Sequence, residues 1–154
     1  MKDLEKDVIK SKAINTLKKI PLFHGLQGDE YREVLAVCRV CRFEKGEVVF
    51  EEGDPSFQMY VILSGSVMVR GRNNHSVMLQ PGEILGEIGL VCNVKRTASV
   101  IANDDVILLE INKDDFDLMQ GRFPHISAVV MRSIANTLAQ RLLKATGHDA
   151  ELLF

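Results

Sequence analysis

The residues whose types could do chemistry are concentrated between residues 85 and 100, in a segment that interrupts a series of strand-like runs. Residues 87–91 are enough for one helical turn, whose free backbone N–H groups can hold an anion. Gly86 lets the backbone approach that anion closely, and Arg96 adds a planar guanidinium fork that suits phosphate oxygens. These residues predict a phosphate site.

Glu87 must meet another part of the ligand, because its carboxylate repels phosphate. A carboxylate can accept hydrogen bonds from ribose hydroxyls, as acidic residues do in dinucleotide sites. Thr97 supplies a further hydroxyl, and Ala98 is small enough to leave a pocket open. A phosphate and a ribose recognised by one segment indicate a nucleotide.

The elements that position this segment are short strands. Strand-like runs are separated by Gly, Pro and Asn turn signals at intervals of about 8–12 residues, which is typical of an antiparallel sandwich or barrel. The predicted strands are Val48–Phe50, Met59–Leu63, Val67–Val69, Val77–Leu79, Ala98–Ile101 and Val106–Ile111. We therefore expect a mainly β fold, an antiparallel sandwich or barrel flanked by helices.

Three helical segments flank the strands. An amphipathic pattern over residues 2–19 predicts an N-terminal helix that ends before Pro21. A second, short helix is expected to have Asp29 as its N-cap. A last helix covers residues 124–145, from a proline in its first turn to a stop at Gly147. The expected divisions are an N-terminal helix at 1–20, a nucleotide-binding domain at 21–145 and a tail at 146–154.

The last helix has two apolar faces, although packing on one core requires only one. The first stripe is Ile126, Val130 and Ile134, and the second is Ala128, Met131, Ala135, Leu138, Leu142 and Ala145. The heptad spacing of the second stripe predicts a helical partner. That partner is either a second copy of residues 125–145 in a homodimer or the N-terminal helix of the same chain.

The same region has a charge bias, because residues 118–148 include no Asp or Glu. Its basic residues are Arg122, Arg132, Arg141 and Lys144. They form either a solvated basic face, which is favourable near a helix C-terminus, or a surface for an acidic partner or a nucleotide.

The chain has 154 residues, with 19 Lys and Arg against 21 Asp and Glu. The net charge of −2 argues against bulk electrostatic attraction to nucleic acid or to a membrane. No apolar run approaches the ~18 residues of a membrane-spanning helix. The charged N-terminus also lacks the apolar core of a secretory signal, so we expect a cytoplasmic protein.

Cys38 and Cys41 form a C-x-x-C pair, and Cys92 stands alone. Alternation through Val40 and Phe43 indicates that the pair leads into a strand. There is no second pair and no cluster of histidines at ligand spacing. We therefore interpret the cysteines as structural thiols rather than metal or redox groups, and we expect no metal.

The chemistry-bearing segment resembles the phosphate-binding cassette of the cyclic nucleotide-binding domain family, which includes catabolite activator proteins and regulatory subunits of cAMP-dependent kinase. The family pattern is Gly-Glu, a hydrophobic residue, a small residue and Leu, and then Arg-x-Ala nine residues after the Glu. Residues 86–90 match it, with Gly89 where the family more often has Ala, and Arg96 and Ala98 complete it. Three further blocks resemble the family: Leu22–Leu26, Lys45–Asp54 and Met59–Val67.

The resemblance implies that the strands form an antiparallel jelly-roll β-barrel, and it implies a role for each residue of the cassette. Glu87 would bind the ribose 2′-hydroxyl, and Arg96 would pair with the cyclic phosphate. The remaining contacts would come from the backbone at Gly86, Ile88 and Ala98 and from the hydroxyl of Thr97.

The resemblance also implies the ligand, which would be cAMP or cGMP, and it implies no catalytic residue. The base would contact Val69 and, at the end of the last helix, Thr146. Ligand binding would be relayed through the last helix to an effector protein that the sequence does not identify.

Three alternatives stay open. In the first, the chain is a sensor fragment of a catabolite-activator-type transcription regulator. Too few residues follow the last helix for a helix-turn-helix, so we expect no DNA binding by this chain alone. In the second, the chain is a degenerate member of the family, in which a Glu87–Arg96 salt bridge replaces the ligand. The third is a metal-dependent cupin enzyme, which needs clustered histidine ligands where this strand region offers only His75.

Overall fold

A computed structural model of the protein describes residues 11–147. Within that range, eight strands form two four-stranded antiparallel sheets. The strands are β1 (Arg39–Phe43), β2 (Val48–Phe50), β3 (Gln58–Ser64), β4 (Val67–Arg70), β5 (Ser76–Leu79), β6 (Ile84–Leu85), β7 (Ser99–Ala102) and β8 (Val106–Asn112). The first sheet has the order β1-β8-β3-β6, and the second has the order β2-β7-β4-β5.

Helices flank the strands on both sides in sequence. They are α1 (residues 11–18), α2 (Gly28–Val37), α3 (Ile88–Val91), α4 (Lys113–Arg122) and α5 (Pro124–Ala145), with 3₁₀ turns at Pro21–Phe23 and Arg72–Asn74. The predicted N-terminal helix is thus present from residue 11 and ends before Pro21, while its earlier part and the predicted tail from residue 148 lie outside the described residues.

Strand β8 shows how the interior is divided into two cores. Val106 and Leu108 pack toward the second sheet, whereas Leu109 and Ile111 pack toward the helices, because alternate side chains of a strand point to opposite faces. All four side chains are buried. The first sheet is therefore covered by the second sheet on one face and by helices on the other, which confirms the predicted mainly β fold with flanking helices.

All six predicted strands are present, and each end lies within one residue of its predicted position. The strand expected after the C-x-x-C pair is β1. Strand β6 was not predicted, since two residues are too short to show alternation. It forms because Ile84 and Leu85 pair with Val61 and Tyr60 of β3.

One prediction about the helices needs correction, and one helix was not predicted. The N-cap of α2 is Gln27 rather than Asp29, and Glu30 closes a capping box by accepting a hydrogen bond from the Gln27 N–H at 2.8 Å. The helix that was not predicted is α4. Phe123 separates it from α5, with φ −134° and ψ 68°, because a residue that precedes a proline is displaced from the helical region.

Helix α5 begins at Pro124 and ends at Ala145, as predicted, and Gly147 follows it with φ +69°. Its first apolar stripe, Ile126, Val130 and Ile134, is buried in the helical core. The second stripe is divided: Met131 and Leu138 pack at the edge of that core, whereas Ala128, Ala135, Leu142 and Ala145 are exposed. The exposed part is the surface on which the predicted homodimer would depend.

The two cysteines of the C-x-x-C pair pack into different cores. Cys38 lies against the helical core and Cys41 against the core between the sheets. Burial raises the pKa of the Cys38 thiol to about 12. Burial and a hydrogen bond to Glu110 raise the pKa of Cys41 to about 11. Both thiols are therefore protonated at neutral pH, which supports the structural interpretation.

A side-chain contact between His125 and Glu30 joins the start of α5 to α2. His125 Nδ1 lies 2.7 Å from Glu30 Oε2 and 2.8 Å from Glu30 Oε1. Partial burial alone would raise the pKa of Glu30, but the hydrogen bond from the Gln27 N–H and the His125 contact outweigh it and hold the pKa below its ordinary value of 4.5. Glu30 thus both caps α2 and anchors the first turn of α5.

This pair predicts a pH-dependent contribution to stability. Because the pKa of Glu30 is lower in the folded chain, its contribution is present above pH 4.5 and is lost as the pH falls through the folded-state pKa. We expect Glu30→Gln to lower the free energy of unfolding by up to about 1 kcal/mol near pH 6, and to have no effect once both states are protonated. Urea unfolding at several pH values, with Glu33→Gln as control, measures this. An equal loss at every pH would contradict it.

Candidate nucleotide-binding site

A cavity of about 700 Å³ lies between the segment after β6, the β4–β5 hairpin and the last turns of α5. This volume falls within the roughly 300–1,000 Å³ of small-molecule sites. The predicted residues that line it are Gly86, Glu87, Ile88, Arg96, Thr97, Ala98 and Val69. The structure thus brings together all but one of the predicted site residues.

Arg96 is the buried cation of this cavity, with 5% of its surface exposed. Its guanidinium donates two long hydrogen bonds, from Nη1 to the Gly86 carbonyl at 3.5 Å and from Nη2 to Gln58 Oε1 at 3.4 Å. The buried Nε has no partner. Burial lowers the pKa of Arg96 from its usual value, although Tyr60, Asp54 and Glu87 oppose that shift.

A buried positive charge that meets two weak neutral acceptors and keeps one N–H unpaired is incompletely compensated. Such a group is suited to an anion, because a phosphate oxygen would supply the missing charge and the missing acceptor.

Aromatic packing fixes the plane of this guanidinium. Phe50 lies beneath it, with Arg96 Cζ 4.0 Å from the ring centroid. Phe50 in turn stacks on Tyr60, with centroids 6.2 Å apart. The sequence contains no signal for this contact, because Phe50 is one apolar residue of a three-residue strand and Arg96 lies far along the chain.

Backbone hydrogen bonds hold Arg96 to the turn that follows β2. The Arg96 N–H donates to the Asp54 carbonyl at 2.8 Å, and the Gly53 N–H donates to the Arg96 carbonyl at 2.9 Å. The side chain of Arg96 is therefore aimed by a loop distant in sequence.

Two glycines of the cassette are required by close approaches. Gly86 has φ +75°, and a Cβ there would overlap the Arg96 guanidinium and lie 2.9 Å from the Gln58 carbonyl oxygen. A Cβ at Gly89 would overlap the Ser56 side chain. The contact at Gly86 brings the backbone against Arg96. The contact at Gly89 explains why glycine replaces the more usual alanine at that position.

Glu87 is 2% exposed and precedes the short helix α3. Its Oε1 accepts a hydrogen bond from Arg141 Nη1, and Arg141 Nη2 donates to the Ile84 carbonyl at 2.7 Å. The alternative Glu87–Arg96 salt bridge is therefore not formed in the described residues: α5 supplies the partner of Glu87. The charge bias of α5 hinted at a nucleotide surface, but it did not single out Arg141.

Thr146, at the end of α5, is not among the residues that line the cavity. Its hydroxyl donates to the Leu142 and Leu143 carbonyls at 3.0 and 3.2 Å and so caps its own helix. Lys144 and Ala145 line the cavity instead. Further lining residues that the sequence did not indicate are His75, Val77 and Leu79 from the β5 side.

Residues 40–121, more than half of the chain, match the family described as "Cyclic nucleotide-binding domain". The chain is 32% identical over 141 residues to a cyclic AMP receptor protein of Thermus thermophilus, covering 88% of this chain and 62% of the relative. It is 28% identical over 107 residues to a cAMP-dependent protein kinase regulatory subunit of Hypocrea atroviridis, covering 70% of this chain and 23% of the relative.

Among solved structures, the Thermus thermophilus catabolite activator protein has a TM-score of 0.71 at 31% identity, covering 86% of this chain and 62% of that one. The family match, the two sheets and the complete cassette sequence pattern all indicate the same family. The chain belongs to the cyclic nucleotide-binding domain family. It spans about three fifths of the length of the receptor-type relatives named above.

Two further features of residues 11–147 bear on the expected partners. No helix in this range is long and apolar enough to cross a membrane. No group of three His, Cys, Asp or Glu side chains there is placed to hold a metal ion. Among the described residues, His75 is the one histidine that lines the cavity, and family membership accounts for the barrel.

The close approach at Gly86 predicts a specific difference between two alanine substitutions. Gly53 and Gly86 both have positive φ, but only Gly86 has neighbours within 4 Å of an added Cβ. Each substitution should cost roughly 1–2 kcal/mol of backbone strain, and Gly86→Ala should lose more because it also displaces Arg96. Urea unfolding of both variants measures the difference, and equal losses would show that the guanidinium does not rest on Gly86.

Proposed function

We propose that this chain binds a cyclic nucleotide in the cavity and relays binding through α5, without catalysing a reaction. The observation that carries the proposal is the buried guanidinium of Arg96, which has an unpaired Nε and only neutral acceptors. A cyclic phosphate carries a single negative charge and free oxygens, and would satisfy both deficits.

The remaining residues of the cassette fit the other parts of this ligand. Glu87 uses Oε1 for Arg141, so that its second oxygen can accept from the ribose 2′-hydroxyl. Gly86, Ile88 and Ala98 are proposed to make backbone contacts, and Thr97 to place its hydroxyl near the phosphate or the purine.

The base is proposed to lie against Val69 and the other apolar side chains of the β4–β5 hairpin, with Ala145 opposite on α5. We take cAMP as the first candidate because the receptor relative of 32% identity is a cyclic AMP receptor protein. The hydroxyl of Thr97 keeps cGMP as the alternative.

The output of binding is proposed to pass through α5 to an effector protein. Arg141 connects that helix directly to the carboxylate that meets the ribose, so a ligand that engages Glu87 changes the energy of that connection. Homodimerisation through residues 125–145, the absence of DNA and membrane binding by this chain alone, and a cytoplasmic location stay predictions.

The decisive experiment is a calorimetric titration of cAMP and cGMP with the wild type and two arginine variants. Removing one partner of a buried charge pair costs about 2–5 kcal/mol, so Arg96→Ala should weaken binding about thirtyfold or more. Arg122→Ala, which removes an exposed arginine outside the cavity, should leave the affinity unchanged. Arg96→Lys and thermal melting separate loss of binding from loss of folding. Failure of the folded wild type to bind either nucleotide would overturn the proposal in favour of a degenerate receptor.

The role of Glu87 predicts that binding weakens when either the ribose 2′-hydroxyl or the Glu87 carboxylate is removed. A hydrogen bond to a charged group contributes about 1.5–3 kcal/mol, so the wild type should bind cAMP at least about tenfold more tightly than 2′-deoxy-cAMP. Glu87→Ala should bind both ligands equally weakly, while Glu52→Ala, on the exposed turn after β2, should keep the preference. A preference that survives in Glu87→Ala would place the 2′-hydroxyl elsewhere.

A further inference from the structure

A second cavity, of about 890 Å³, lies along the other flank of α5. Its opposite walls are the 3₁₀ turn at Pro21–Phe23 and the turn that leads into β6. Along α5 it is lined by uncharged polar side chains, Ser133, Asn136, Thr137 and Gln140, between His125 at one end and Lys144 at the other. We call this cavity the α5 groove. The proposed nucleotide site does not use it.

The α5 groove is electropositive. Arg132, Arg141 and Lys144 line it, and within residues 11–147 neither Arg132 nor Lys144 forms an ion pair. The acidic residue of its wall is Glu83, whose Oε2 accepts a hydrogen bond from the Gln80 N–H at 2.7 Å.

Glu30 is the acidic residue next to the groove, and its carboxylate already contacts His125. Helix α5 contributes no acidic residue at all. With Arg141 paired to Glu87, the charges of Arg132 and Lys144 exceed that of Glu83, so the groove has a net positive charge along a polar trough and is complementary to carboxylates.

We propose that the α5 groove docks an extended acidic segment of an effector protein. Nineteen residue steps separate His125 from Lys144, which at 1.5 Å per residue gives about 28 Å of groove. An extended chain rises about 3.3 Å per residue, so about eight residues fill it. Carboxylates of that segment pair with Arg132 and Lys144, and its backbone meets the amide and hydroxyl side chains between them.

Docking is coupled to the nucleotide site, and this step rests on the proposed function. Glu83, Arg141 and Lys144 line both cavities, and Arg141 is paired with Glu87. When an acidic segment pairs with Arg141, Glu87 loses its hydrogen-bond donor, and the ribose hydroxyl can replace that donor. Both ligands therefore favour the state in which Arg141 has left Glu87, so the coupling is positive and reciprocal.

The docking surface is tested with a fluorescein-labelled octaglutamate as probe, using anisotropy at low ionic strength and the full chain. We expect binding of octaglutamate but not of octaglutamine or octalysine. Arg132→Glu should weaken it by about tenfold or more, whereas the same charge reversal on α2, Arg32→Glu, should have no more than a small effect. Octaglutamine binding as tightly, or equal losses in both variants, would overturn the proposal. A change in sedimentation coefficient caused by Arg132→Glu would also overturn it, because the occupant would then be a second copy.

The coupling is tested by repeating the titration with saturating cAMP. Coupling free energies of this kind usually correspond to fivefold or larger changes, so cAMP should tighten octaglutamate binding by about fivefold or more. Arg141→Ala should remove that gain. If calorimetry shows no nucleotide binding while octaglutamate still depends on Arg132, the docking surface stands and the proposed function fails. If cAMP binds and octaglutamate does not, the docking surface fails and the proposed function stands.

Discussion

The structure of the site depends on the burial of one positive charge. The Arg96 guanidinium is almost fully removed from solvent, yet its partners are a carbonyl and an amide oxygen at the limit of hydrogen-bonding distance. Burying such a charge without a paired carboxylate is unfavourable. The Phe50 ring beneath the guanidinium plane offsets part of this free energy. Gly86 must lack a Cβ for the same reason. The surroundings thus hold the cation in place without giving it a hydrogen-bonded carboxylate, and the proposed ligand phosphate would supply that anionic partner.

The second charge of the cassette, the carboxylate of Glu87, has a charged hydrogen-bonding partner. Glu87 lies close enough to Arg96 to influence its pKa, but its hydrogen-bonding partner is Arg141 on the last helix. If Glu87 paired with Arg96, both charges would be satisfied within the cassette, and no group would be left for an anion. Because Glu87 turns to α5, the cassette keeps a free cation and gains a connection to Arg141, 54 residues further along the chain.

The parts of this fold that could be predicted are those whose signals are local in sequence. Six strands followed from alternating runs bounded by turn residues, and the cassette followed from residue types at fixed spacing. Strand β6 could not be predicted, since Ile84 and Leu85 become a strand only through pairing with β3. The same holds for Phe50 under Arg96, and for Arg141, which the sequence shows only as one of several basic residues on a helix face. Thr146 illustrates the reverse: its hydroxyl is committed to capping α5, a local interaction that competes with a ligand contact.

The burial pattern of α5 determines where ligand binding can act. All the fully buried residues of this helix lie between Ile126 and Ile134, in its first three turns, and the His125–Glu30 pair adds a further anchor there. Beyond Ile134 the helix is held by half-buried contacts and by the two hydrogen bonds of Arg141. Exchanging a partner of Glu87 therefore changes the energy of the last turns without disturbing the core that fixes the first. Those last turns also carry Lys144, which lines the charged groove, and Leu142 of the exposed apolar stripe, so the proposed signal from Glu87 would act where both surfaces lie.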